Sequence, residues 1–136
     1  MQFGSFEEYY IPTGLRSIVI TDETIIGYGA FYGCNQLAHV VIPSSVKSIG
    51  PGAFSGTKLM NDHAEGLVIV DACLLAYKGA CSGLVAIPEG VRLIADETFS
   101  YCRGLTGVKI PLGVTWIGNS AFYGLFVHDC GCSFAA

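Results

Sequence analysis

Residues 37–56 read LAHVVIPSSVKSIGPGAFSG, and three other stretches are variants of the same text. They are LRSIVITDETIIGYGAFYG from Leu15, LVAIPEGVRLIADETFSY from Leu84 and LTGVKIPLGVTWIGNSAFYG from Leu105. The phenylalanines that close the four copies are Phe31, Phe54, Phe99 and Phe122, separated by 23, 45 and 23 residues. The isoleucines that end the first apolar run, Ile20, Ile42, Ile87 and Ile110, are separated by 22, 45 and 23. A period near 23, with 45 as about two periods, is the mark of a solenoid and takes precedence over any local reading.

Within a copy, the spacing L-x-x-I-x-I sets Leu15, Ile18 and Ile20 on one side and Ser17, Val19 and Thr21 on the other. That is the two-residue period of a strand. The same alternation turns Leu37, Val40 and Ile42 inward and His39 and Val41 outward; Leu105, Val108 and Ile110 face in, and Gly107 and Lys109 face out. The third copy is two residues shorter before Ile87. Pro43, Pro88 and Pro111 follow the isoleucine in three copies, where a residue without an N–H belongs at a strand end. A second short apolar segment carries Val46 and Ile49, Val91 and Ile94, or Val114 and Ile117. Gly27, Gly50 and Gly118 come next, with Ala95 in the third copy, and suit a tight bend. The tail of each copy, around Ala–Phe, is too short for a long helix and reads as a single 3₁₀-like turn or irregular structure.

No rung of this kind buries its own isoleucines; stacking on the next rung does so and piles the phenylalanines into a column. The expected domain is therefore single, residues 1–136. Residues 1–14, with Phe3, Phe6, Tyr9, Tyr10 and Ile11, read as an N-terminal cap. Two repeats fill 15–58 and two more fill 84–124. Residues 59–83 break the pattern: Leu67–Val70 and Leu74–Tyr77 are β-prone runs that read as a hairpin insertion or a degenerate rung, with a surface loop at 61–66. Residues 125–136 are a C-terminal cap or the cut end of a longer array.

Bulk properties narrow the function. The chain has 136 residues, 51% hydrophobic and 13% charged, and a net charge of −4. No Lys/Arg cluster meets the phosphate-binding criterion, so nucleic acid is not an expected partner. No apolar run approaches the ~18 residues of a membrane-crossing helix. The opening MQFGSFEEYY lacks the basic and apolar regions of a secretory signal. Cys34 and Cys102 stand three residues after a phenylalanine, in the slot that Thr57 and Leu125 also hold. A slot that accepts Cys, Thr or Leu is a small buried one, so reduced, structural cysteines are expected.

Candidate chemistry is sparse. His128, Asp129, Cys130 and Cys132 form the densest cluster, but a structural zinc site needs a second paired ligand set, and none has suitable spacing. Asp62, His63 and Glu65 read as a solvated loop. The glycine-rich corners lack the ending of a phosphate loop. Hence no catalytic residue, metal or cofactor is expected. Binding falls to the outward positions: Val19, Val41, Ala86 and Lys109 as one row, and Ser17, His39 and Gly107 as part of a second. Trp116 occupies the slot of Ser48 and Leu93 and is expected to point outward near Leu93. The candidate partner-binding residues are thus Val19, His39, Val41, Lys109 and Trp116.

Leu37, Val40, Ile42, Pro43, Val46, Ile49, Gly50, Ala53 and Phe54, with Cys34 and Cys102 in the Cys slot, resemble the BspA-type leucine-rich repeat over roughly residues 12–124. The resemblance implies a mainly β, right-handed leucine-rich-repeat solenoid with a short parallel sheet, tight turns and 3₁₀ turns. It also implies a secreted or cell-surface protein of bacteria or parasitic protists, without catalytic residues, that binds a protein partner such as a host or matrix protein. The other function to weigh is structural: a spacer, or an end module that forms a homodimer through the solenoid ends, because open sheet edges invite pairing.

Overall fold

The computed structural model describes residues 14–123. The proposed caps at 1–14 and 125–136, and the His128–Cys132 cluster, lie almost wholly outside them. The chain divides into two compact units, Met1–Ala64 and Glu65–Ala136. The architecture is a leucine-rich-repeat β-solenoid, mainly short strands and turns, with one short helix among the described residues.

In the first unit, β1 (Ser17–Val19), β2 (Ile25–Ile26), β3 (His39–Val41) and β4 (Ser48–Ile49) are followed by α1 (Lys58–Asp62). β1 pairs with β3 in parallel, with Ile18 opposite Val40, and β2 pairs with β4 in parallel, with Ile26 opposite Ile49. The second apolar segment of each copy is thus a strand too, and the rungs are stitched by two separate ladders. Ile20, Ile26, Leu37, Val40, Ile42, Val46 and Ile49 are buried between them. The first copy departs at Glu23, a buried carboxylate in the slot that Val46, Val91 and Val114 hold elsewhere.

The tails are chains of turns laddered to the next rung. Ala30, Tyr32 and Cys34 donate their amides within the tail, to the carbonyls of Gly27, Gly29 and Phe31. Gly29, Phe31 and Gly33 donate across, to Pro51, Ala53 and Ser55. Alternate amides therefore serve the turn and the neighbour. The Phe31 and Phe54 rings stack with centroids 5.5 Å apart.

The glycines follow a different logic from the one expected. Gly50 and Gly118 are not at positive φ. A Cβ on Gly50 would lie 2.7 Å from the Tyr28 amide nitrogen, and one on Gly118 would lie 2.5 Å from that of Asp96. The slot wants glycine because adjacent corners touch backbone to backbone. In the third copy Ala95 makes the same amide bond, to the Leu74 carbonyl, as Gly50 makes to Ile26 and Gly118 to Ile94, but the residue after Leu74 continues in a strand instead of turning a corner. The left-handed residue comes two positions later, as Gly29, Gly52, Glu97 and Ser120.

In the second unit, β5 (Gly66–Val70), β6 (Cys73–Lys78), β7 (Ser82–Ala86), β8 (Leu93–Ile94), β9 (Gly104–Lys109) and β10 (Trp116–Ile117) follow. β5 and β6 form an antiparallel hairpin closed by Asp71 and Ala72, both at positive φ. β6 then joins β8 and β10 in a parallel ladder, order β10-β8-β6-β5, where Leu74, Ile94 and Ile117 are in register. The segment 59–83 thereby carries both a hairpin and a rung position. It begins with α1, capped by the Thr57 side chain, which accepts from the Met60 amide. Tyr77 stands 6.0 Å from Phe99, and Phe99 stacks on Phe122 at 5.3 Å. Tyr77 thus takes the column place of a missing phenylalanine.

Counted from Gly83 the copy is one residue shorter, and that residue is absorbed in the β7–β9 ladder, whose register shifts between Gly83 and Leu84. Gly83 faces Leu105, so the inward leucine slot is empty of side chain, and Leu84 turns out to solvent, 72% exposed. Leu84 is therefore not the counterpart of Leu37 and Leu105.

Candidate functional site

The outer face of β1 and β3 carries four side chains in register, Ser17 opposite His39 and Val19 opposite Val41. The alternation that buries Val40 forces its neighbours outward. Val19 is 68% exposed and Val41 48%. In the second unit Ala86 lies opposite Lys109, both exposed, while Gly107 lies opposite Leu84 and is buried. Gly107 thus keeps its outward register position beside Leu84 but presents no exposed surface of its own.

Trp116 is 44% exposed and pairs with Leu93. Leu93 and Cys73, in the same row, are fully buried, so this row is not an outward one throughout. Ile117, expected to face in, is partly exposed, on a strand that ends the sheet order.

At the N-terminal end of β1 and β3 the surface is concave. Arg16, Asn35, Gln36, Ala38, His39 and Lys58 line an open cavity of about 490 Å³. Its walls are fixed by backbone bonds. The amides of Ala38 and His39 both donate to the Arg16 carbonyl, at 3.0 and 3.3 Å. The turn before β3 closes through Leu37 N to Cys34 O at 3.0 Å, and α1 is held by Leu59 N to Leu37 O at 2.8 Å. Lys58 pairs with Asp62 one helical turn on, Nζ to Oδ2 at 2.6 Å. Reading the sequence for clustered Lys and Arg missed this cavity, because Arg16, His39 and Lys58 come from three separate segments.

The four described cysteines are free thiols. Burial pushes the Cys34 and Cys73 thiols up from the usual range, with Arg92 opposing and Asp71 adding at Cys73. Cys102 is pushed up to about 12, by burial first and then by its side-chain hydrogen bond to Cys81 and that residue's charge. Cys81 directly precedes β7 and Cys102 precedes β9 with one residue between, and these two strands are partners in one parallel ladder, which sets the two thiols side by side. Among the described residues no group of His, Cys, Asp and Glu is placed to hold a metal, and no helix is long and apolar enough to cross a membrane. His63 Nδ1 lies 2.7 Å from the Ala64 carbonyl, and Asp62 is held by Lys58.

No curated protein matches the chain significantly. Among solved structures, a leucine rich cell surface protein from Faecalibacterium prausnitzii A2-165 is similar at 29% identity and a TM-score of 0.39, over 90% of this chain and 40% of its own. This chain spans about 40% of that protein's length. A family profile described as "BspA type Leucine rich repeat region" matches in 6 copies, over residues 5–66 and 76–130. Those two stretches cover most of the chain, and the chain belongs to the BspA-type leucine-rich repeat family.

Proposed function

We propose that the protein is a non-enzymatic binding module of a cell-surface or secreted repeat protein, and that it meets a protein partner through the outer face of β1 and β3. The observation that carries this is the Val19–Val41 pair, two aliphatic side chains opposite each other on a sheet face and exposed to solvent. Exposed apolar surface on an ordered sheet favours association, because covering it removes apolar area from water. Ala86 and Lys109 occupy the matching slots of β7 and β9. Family membership supports an interaction or surface role in general terms.

The test is binding to immobilised matrix proteins by the wild type and by the V19E/V41E double variant. Both positions are exposed, so the variant is expected to fold with an unchanged circular dichroism spectrum. Loss of binding by about ten-fold or more supports the face, that being one step of ~1.4 kcal/mol. Equal binding by both proteins removes the face from the interface. Light scattering on the same samples adds a check: a monomer is expected, and a tight dimer that ignores both substitutions favours association through the solenoid ends.

A further inference from the structure

Resting on that assignment of the β1–β3 face, we infer that the adjoining cavity of Arg16, His39 and Lys58 is an acidic-residue subsite, and that the partner is an extended protein segment carrying a carboxylate side chain and, two positions on, an aliphatic one.

Three observations converge. The first is chemical. Every ionisable group that lines the cavity is basic, and the other polar groups are the carboxamides of Asn35 and Gln36, which donate N–H bonds to an oxygen. Asp62, on the same helix, is already engaged by Lys58. Among the described residues no side-chain hydrogen bond or ion pair binds Arg16 or His39, and both line the cavity. Arg presents planar paired donors that match a carboxylate.

The second is geometric. His39 is shared: it lines the cavity, and it sits two residues from Val41 on the same face of β3. Two residues of extended chain rise about 6.6–6.8 Å. A segment running along β3 with its carboxylate over Arg16 and His39 therefore brings the side chain two positions on over Val19 and Val41. The third is what the cavity lacks. Among the described residues no Phe, Tyr or Trp lines it. A sugar ring is commonly held against an aromatic face, whereas an aliphatic pair beside a cationic hollow matches a peptide.

The protein carries a net charge of −4, so this local reversal of sign also distinguishes the cavity from the average surface. Attraction between opposite charges at an exposed site is screened over about 8–10 Å at physiological salt. The contribution is therefore to partner choice and orientation more than to raw affinity.

The test uses the full chain, ¹⁵N-labelled, and an acetylated heptapeptide with Glu and Val two positions apart, Ser-Ser-Glu-Ser-Val-Ser-Ser, followed by amide NMR. The expected result is shifts at Arg16, Asn35, Gln36, His39 and Lys58 together with Val19 and Val41. Affinity should fall about five-fold in Arg16→Ala, the upper range for one exposed charge pair, and also when salt is raised. Arg16 is exposed, so that variant is expected to keep its melting temperature, and Arg16→Lys should recover part of the loss. Equal binding of a Gln-for-Glu peptide overturns the subsite while leaving the Val19–Val41 face standing. Shifts at the cavity with an oligogalacturonate but not with the peptide overturn it in favour of a glycan. Shifts at neither place overturn it as well, and the matrix-protein assay then decides separately whether the face binds anything.

Discussion

Phe99 and Phe122 lie ring over ring, with centroids 5.3 Å apart and planes 6° from parallel. Phe99 is fully buried and also meets Tyr77, so it is the middle member of a three-ring column. Phe99→Ala is expected to cost about 3–5 kcal/mol, the usual range for removing a buried aromatic side chain. Phe31→Ala should cost a similar amount in the first unit, where Phe31 stacks on Phe54. Urea denaturation of each variant measures this, and a loss well below about 2 kcal/mol would show that the columns are dispensable.

Gly118→Ala sets a methyl group within 2.7 Å of backbone atoms of Asp96 and Ala95. Backbone yields less readily than a side chain, so a loss of at least about 1–3 kcal/mol is expected, as for an overpacked core. Gly50→Ala meets the Tyr28 and Gly27 backbone and should behave alike. Placing glycine at Ala95 should cost less than either. Thermal melts compare the three, and a neutral Gly118→Ala would contradict the close approach of the corners.

Glu97 and Ser120 hold the left-handed slot that Gly29 and Gly52 fill without strain. Glu97→Gly and Ser120→Gly are expected to raise stability by roughly 0.5–1 kcal/mol, the relief of the Cβ clash less the backbone entropy of glycine. The hairpin turn offers the same lever. Asp71 and Ala72 are both left-handed, and Asn–Gly in their place suits a two-residue turn of this hand. The midpoint of chemical denaturation reports each change.

The Cys102 thiol, pushed up from an ordinary 9.0 to about 12, stays protonated in the folded protein at pH values where the unfolded chain has lost the proton. Between about pH 9 and 12 the native state holds more protons than the unfolded state, so stability contributed by this group is full below pH 9 and falls as pH rises through that window. Cys102→Ala should flatten the alkaline part of the stability profile relative to wild type. Iodoacetamide at pH 8 should label Cys102 slowly in the native protein and at the ordinary rate after unfolding, which mass spectrometry of the labelled peptide resolves.

Much of the frame is legible in the primary text because it rests on period alone. The spacing of Phe31, Phe54, Phe99 and Phe122 implies stacked rings, and the alternation around Val40 implies an outward Val19 and Val41. What was less legible depends on which layer lies beneath a residue. Gly50 and Gly118 look like bend glycines until the backbone of the neighbouring corner is found within 2.8 Å of where a Cβ would sit. Leu84 looks like the repeat's leucine until the register shift after Gly83 turns it to solvent. Tyr77 and Leu74 fill column and ladder positions from a strand that runs antiparallel to its other neighbour, which a search for the repeat's own letters passes over. The cavity is hidden for a related reason: its walls meet only once Arg16, the turn at Asn35 and α1 have been brought side by side.

The alternating amides of the tail segments carry a consequence for how the array can change length. Odd-numbered donors at Gly29, Phe31 and Gly33 point one way and the even-numbered ones between them point the other. Adding or removing a single residue there would exchange the two sets and misdirect every bond beyond it. All four copies keep the same interval from the last isoleucine to the phenylalanine, at Ile26–Phe31, Ile49–Phe54, Ile94–Phe99 and Ile117–Phe122. Growth and shrinkage are instead taken up at the start of the first strand, as at Gly83–Leu84, where a bulge costs one slipped pair and leaves the corner's parity intact.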